Sequence, residues 1–154
     1  MATWEVFAQS APEIASGGHK LLYQYGIGLG FLATVRADGG PRMHPFCPVV
    51  LNGGLYGLIV PSPKRRDLHR DGRYAIHALQ PENVDDEFYV TGNARSIPDG
   101  ELTGRVRAAF VATGGTTTGD EELFEFDIAN ALLATYERRG QWPPLYRKWK
   151  APAS

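Results

Sequence analysis

A short basic stretch that follows an apolar strand carries the residue types that hold a phosphate. Ser62-Pro63 is a strong helix start, because Ser caps free N–H groups and Pro is favoured at the first helical position. Lys64, Arg65 and Arg66 then place three cations at the end of the helix that is already positive, which is unfavourable unless an anion binds there. A solvated basic turn paired with the acidic loop 82–87 is the alternative. The combination of cap, proline and cations favours an anion site.

A second stretch, Pro41–Pro48, can present its backbone to a ligand. Pro45 and Pro48 remove two donors from any sheet ladder, so the strand must be an edge strand or must be broken there. A flat heteroaromatic ring could lie along such a strand, with Arg42 or His44 near its electron-rich atoms. A bulged edge strand that limits its own exposure is the alternative interpretation.

Other chemistry finds less support in the sequence. Gly26-Ile-Gly28-Leu-Gly30 resembles part of a dinucleotide fingerprint, but it precedes a strand and does not open a helix. His44 and Cys47 have no matching pair among the other histidines, so no metal site is predicted. Cys47 is expected to be a small buried residue, because no neighbour clearly lowers the pKa of its thiol. No hydrolytic constellation is visible, and no catalytic residue is assigned.

Short elements with many turns must position these residues. Ser10 and Glu13 have the spacing of a capping box at the start of a helix, and Asp38-Gly39-Gly40-Pro41 predicts a hairpin turn. Six or so short strands with inserted helices predict a small antiparallel barrel. The pattern predicts strands at 31–35, 42–51, 55–60, 74–79, 88–97, 123–128 and 131–136, helices at 14–25, 62–70 and 102–110, and an irregular tail over 142–149.

Composition limits the class of protein. The chain has 154 residues, 43% of them hydrophobic, which excludes a disordered protein and predicts one domain over 1–154. A single cysteine excludes an internal disulfide framework. The net charge of −1 gives no overall attraction to nucleic acid or to an anionic membrane. No segment approaches 18 apolar residues and no signal peptide is apparent, so we expect a cytoplasmic protein.

The order of these motifs resembles one known family. Gly30–Arg42, His44-Pro45, Leu55–Val60 and Ser62–Leu68 are similar to the pyridoxamine 5′-phosphate oxidase-like family of FMN-binding split barrels. The resemblance covers about half of the chain, roughly residues 21 to 97. It implies a mainly β fold with inserted helices, a six-stranded antiparallel split β-barrel of the Greek-key type. It also implies a homodimer with FMN at the subunit interface.

The resemblance also implies which residues contact the cofactor. The flavin ring would lie along β-strand residues 42–47, where Arg42 or His44 would stabilise negative charge at the pyrimidine end. Ser62, Lys64 and Arg65 would hold the phosphate. Trp149 either reaches the flavin of the partner subunit or packs within its own chain. The residues expected to bind the cofactor are Arg42, Met43, His44, Pro45, Phe46, Cys47, Ile59, Val60, Ser62, Lys64, Arg65 and Trp149.

The function that follows is an FMN-dependent oxidoreductase acting on an unknown small molecule. An oxidoreductase of the same fold that uses the deazaflavin F420 is one alternative, and a non-catalytic module that binds flavin or haem is another. The C-terminal part lacks the substrate-binding Arg-x-His motif of the namesake oxidase, so oxidation of pyridoxamine phosphate is not expected. Nucleic-acid binding through the basic stretches 64–73 and 138–150 is disfavoured, because the net charge is −1 and no aromatic residue lies among the bases of 64–73.

Overall fold

The computed structural model describes residues 1–153, which form four helices and eight strands. No helix in this range is both long and apolar enough to cross a membrane. The helices are α1 (Trp4–Ser10), α2 (Pro12–Leu22), α3 (Pro63–Arg70) and α4 (Glu101–Ala112). The strands are β1 (Gly30–Val35), β2 (Pro41–Phe46), β3 (Pro48–Leu51), β4 (Gly54–Ile59), β5 (Arg73–Ala78), β6 (Glu87–Ile97), β7 (Glu122–Thr135) and β8 (Leu145–Lys150).

The strands form one antiparallel sheet in the order β2-β1-β5-β6-β7-β4-β3, with β8 added to β7. The two ends of this order, β2 and β3, are consecutive segments of one bent strand that is interrupted only at Cys47. The sheet must therefore curl round until its ends meet. Counted with β2 and β3 as one strand, the barrel has six strands, as predicted. The predicted mainly β fold and split barrel are confirmed.

Large aromatic side chains fill the interior of the barrel. Phe88, Phe124 and Phe126 are fully buried, and Phe7 of α1 joins them in the same core. The α2 helix reaches this core through Gly18, where an added Cβ would lie only 2.3 Å from the ring of Phe88. A glycine there is required by the close approach of helix and ring.

The helix start predicted near the N-terminus is wrong. Ser10 is the last residue of α1, and its hydroxyl donates to the carbonyl oxygen of Val6 at 2.7 Å. The second helix begins instead at Pro12, after Ala11, which provides no side-chain cap. Proline at the first helical position has set the boundary in place of the capping box.

Two predictions about the C-terminal part are also wrong. The strands predicted at 123–128 and 131–136 are one strand, β7, because a register shift at Thr91/Gly92 of β6 leaves Ala129 unpaired and lets the strand continue. The tail predicted to be irregular contains β8, whose partner is the second half of β7. The strand β8 meets its pairing partner only after β7 has formed, so the local sequence pattern could not predict β8.

Candidate functional site

The barrel is open between β2 and the end of β4. β2 pairs with β1, whereas the pairing of β3 with β4 begins only at Pro48–Gly57. The last residues of β4, Leu58 and Ile59, pair with β7 on their other side. β2 is thus an edge strand in the single chain, as its prolines predicted. We call the opening bordered by β2, Leu58–Val60 and the start of α3 the split cleft.

The helix that follows β4 begins where the sequence predicted. The hydroxyl of Ser62 accepts a hydrogen bond from the backbone N–H of Arg65 at 3.3 Å and donates to the carbonyl oxygen of Val60 at 2.8 Å. Pro63 occupies the first position of α3. No acidic residue lies in the first turn of α3, so no side chain of the turn itself neutralises the positive end of the helix.

Lys64 is a half-buried cation in this first turn. Within residues 1–153, its ammonium has no hydrogen-bond or ion-pair partner, in contrast to the neighbouring Arg65. Burial lowers the pKa of Lys64 from its ordinary value, since the charge loses water without gaining a carboxylate. A bound anion would offset this unfavourable arrangement.

Arg65 is already engaged by its own chain. Its Nη1 donates to the carbonyl oxygens of Ile59 at 3.3 Å and Asp120 at 3.0 Å, and its Nε lies 3.7 Å from a carboxylate oxygen of Glu122. The side chain thereby ties the end of β4 to the start of β7. Of the two cations predicted to hold the phosphate, Lys64 has no partner among residues 1–153, and Arg65 links two segments of its own chain.

The side chains of β2 alternate between the two faces of the sheet. Arg42, His44 and Phe46 lie opposite the buried or interior residues of β1 and share their face, whereas Met43 and Pro45 are exposed on the outer face. Phe46 belongs to the core. The Nε2 atom of His44 is buried and has no hydrogen-bond partner among the described residues.

Arg42 reaches from β2 to α3, where its Nε donates to Oδ2 of Asp67 at 2.6 Å. Asp67 also accepts from the hydroxyl of Thr34 at 2.9 Å and from Nη2 of Arg70 at 3.0 Å. The Asp67 side chain is only 4% exposed. No local pattern predicts this network beyond an acid placed among bases, since its members come from three separate elements.

Asp67 makes folding stability depend on pH. Desolvation by itself would raise the pKa of this carboxyl, but the hydrogen bonds from Arg42, Arg70 and Thr34 outweigh it and lower the pKa. A carboxyl whose pKa is lowered by folding contributes stability above its unfolded value, about 3.9, and loses that contribution as the pH falls through the folded value.

We therefore expect the wild type to exceed Asp67→Asn in free energy of unfolding at neutral pH, and the difference to shrink steadily below about pH 4. Denaturant unfolding of both proteins from pH 7 to pH 3 measures this. A difference that stays constant over the range would contradict the lowered pKa.

The remaining predicted site residues divide between the cleft and the far side of the sheet. Cys47 joins β2 to β3 and is only partly buried, where full burial was predicted, and this burial raises the pKa of its thiol. Trp149 lies on β8, and its ring centroid is 5.0 Å from that of Phe7. Within one chain, Trp149 packs on α1 and is separated from β2 by several strands. Between residues 1 and 153, no group of three or more His, Cys, Asp or Glu side chains is arranged to hold a metal ion.

No protein-family model and no curated protein sequence matches this chain. Solved structures do resemble it. A haem-binding protein from Mycobacterium smegmatis is 16% identical with a TM-score of 0.63, over 88% of this chain but only 57% of the other. HutZ, the haem storage protein from Vibrio cholerae, is 21% identical with a TM-score of 0.60, over 77% of this chain and 89% of the other.

A third similar structure is a candidate pyridoxamine 5′-phosphate oxidase from Listeria innocua, 14% identical with a TM-score of 0.61, over 75% of this chain and 93% of the other. Identities this low establish the fold and leave ligand and activity open. The sheet order, the bent β2–β3 strand and these likenesses agree: the chain has the split β-barrel fold of the pyridoxamine 5′-phosphate oxidase-like proteins.

Proposed function

We propose that the split cleft binds FMN and that the protein is a flavin-dependent oxidoreductase acting on a small molecule. The observation that carries this proposal is a set of side-chain nitrogens without hydrogen-bond partners among residues 1–153. The Lys64 ammonium, the terminal nitrogens of Arg42 and the buried Nε2 of His44 have no partners among residues 1–153. A buried polar atom without a partner, such as this Nε2, is costly unless a ligand uses it, and the partly exposed Lys64 and Arg42 are free to bind an anion.

The donor set fits a phosphate at the α3 end of the cleft. Lys64 and the positive end of α3 offer charge and a free backbone N–H group, and Ser62 holds that end in shape. Arg42 lies beside the same helix because Asp67 holds it there. These groups supply the charge-assisted hydrogen bonds that phosphate recognition needs.

The flat ring of a flavin fits the other end of the cleft. The edge of β2 lacks a strand neighbour on one side, and Pro45 removes a donor that another strand would need. His44 is the polar side chain left for the ring, because Arg42 is drawn towards α3. The bound flavin would supply the redox chemistry, and the protein would orient it, exclude water and place His44 at its edge.

A second copy of the chain would complete this site. Pro45, Phe31, His77, Tyr89 and Leu132 lie side by side across five strands on the outer face, and each is at least partly exposed. Such a continuous row of apolar and aromatic side chains is typical of an interface. We expect a homodimer with FMN at the interface. Sedimentation velocity of the wild type and of Tyr89→Asp, a variant designed to disrupt this interface, tests the expectation.

Haem is the second candidate ligand. Two of the similar structures are described as haem-binding or haem-storage proteins. The unpaired Nε2 of His44 is the kind of nitrogen that can ligate iron. The F420 coenzyme, which also carries a phosphate, would use the same donors as FMN.

Direct titration separates these candidates. We expect the purified protein to bind FMN at least tenfold more tightly than riboflavin, because only FMN carries the phosphate. Flavin fluorescence reports FMN and riboflavin binding, F420 fluorescence reports F420, and the Soret band reports haem. Tight haem binding with no preference for FMN over riboflavin would reject the proposal. Reduction of bound FMN by NADH or NADPH would then distinguish an enzyme from a passive carrier.

A further inference from the structure

Asp67 is a buried carboxylate that joins three elements at the mouth of the split cleft. Its Oδ2 accepts from Thr34 of β1 and Arg42 of β2, and its Oδ1 accepts from Arg70 of α3. Arg70 also donates to the carbonyl oxygen of Val35 at the end of β1. Both carboxylate oxygens are therefore used, and α3 is clamped to the β1–β2 hairpin.

This network decides where the guanidinium of Arg42 can lie. Lys64 and Asp67 are three residues apart on α3, so their side chains share one face of the helix. Because Arg42 Nε is bound to Asp67, the guanidinium is held on the same face as the Lys64 ammonium. The planar guanidinium has five donor hydrogens, and its two terminal nitrogens have no partner within residues 1–153.

We propose that Asp67 is a positioning residue, which binds one edge of the Arg42 guanidinium so that the terminal nitrogens join Lys64 in holding the phosphate of FMN. This inference rests on the proposed function. A carboxylate this close to a phosphate would weaken binding if its charge acted alone. If Asp67 acts by orienting Arg42, removal of its charge weakens FMN binding, whereas if it acts only as a nearby negative charge, removal strengthens FMN binding. Asp67→Asn separates the two.

The experiment is a double-mutant cycle on ligand affinity. The dissociation constants of FMN and riboflavin are measured for the wild type, Asp67→Asn, Arg42→Lys and the double variant, with thermal unfolding of each. We expect each single change to weaken FMN binding by about tenfold, the lower end of the loss that follows mutation of residues that orient metal-ligating side chains. The double variant should bind FMN no more than about twofold more weakly than either single variant, since both changes break the same contact between Asp67 and Arg42. Riboflavin binding should stay unchanged.

Three results would overturn the inference. Asp67→Asn could bind FMN more tightly, which would mean that the carboxylate acts only as a repulsive charge. The two effects could multiply to about a hundredfold in the double variant, which would make the residues independent. Riboflavin could weaken equally, which would mean a general structural effect.

Two further points keep the experiment decisive. If Asp67→Asn does not fold, the Arg42→Lys variant decides the question. Lysine keeps the positive charge but lacks the second edge of the guanidinium. An FMN affinity of Arg42→Lys equal to that of the wild type would then reject the inference. A wild type that does not prefer FMN over riboflavin would instead reject the proposed function, which is a different result.

Discussion

Lys64→Ala is expected to weaken FMN binding by roughly tenfold to a hundredfold, with no loss of stability. A charge-assisted hydrogen bond to a phosphate is worth about 1.5–3 kcal/mol, and Lys64 has no partner within residues 1–153 whose loss would disturb the fold. Isothermal titration calorimetry with FMN and with riboflavin measures the effect. Riboflavin should bind the variant as it binds the wild type, because it carries no phosphate.

Two neighbouring cations provide matched controls for Lys64. Arg66→Ala removes the same charge from an exposed position, and we expect less than about a twofold change in FMN affinity because exposed charges are screened. Arg65→Ala should instead lower the melting temperature, since Arg65 links Ile59 to Asp120. Equal losses of FMN affinity in Lys64→Ala and Arg66→Ala would indicate a general electrostatic effect and would contradict a specific phosphate site at Lys64.

Gly28→Ala is expected to be the most destabilising of these substitutions. A Cβ at this position would lie 2.0 Å from the carbonyl oxygen of Pro48, and a backbone atom at the start of β3 cannot move aside as a flexible side chain could. Overpacking typically costs about 1–3 kcal/mol, and a contact with a backbone atom puts this substitution at the upper end of that range. For a chain of this length the melting temperature should fall by roughly 10 °C. Differential scanning calorimetry measures the change.

Gly104→Ala is the matched control for the glycine substitution. Gly104 lies exposed inside α4, and an added Cβ would meet no atom within 4 Å. Alanine favours the helix, so this variant should gain about 0.4–1 kcal/mol. A Gly28→Ala protein as stable as the wild type would mean that the bent β2–β3 strand can shift, and the geometry of the cleft would then be less fixed than described.

Local patterns predicted the parts of the site that neighbouring residues control. The start of α3 depends on Ser62 and Pro63, which cap it directly, and the edge character of β2 depends on the missing donor at Pro45. The glycines at positions 26, 28 and 30 lead into the strand β1, as the sequence predicted, and do not open a helix. The close approach of Gly28 to Pro48, which requires a glycine at position 28, could not be predicted from the sequence. The contact joins two segments whose distance is set by the closed sheet.

The sequence by itself determined the class of fold, the helix start at Ser62 and the concentration of cations after it, because capping, proline geometry and strand alternation act over a few residues. Only the tertiary structure decided which cation is available. Lys64 and Arg65 are adjacent cations in the sequence, yet Arg65 donates to the carbonyl oxygen of Asp120, 55 positions away, whereas the Lys64 ammonium has no partner within residues 1–153. Such a hydrogen bond depends on distance in space, and that distance exists only once β4, β7 and α3 have packed together.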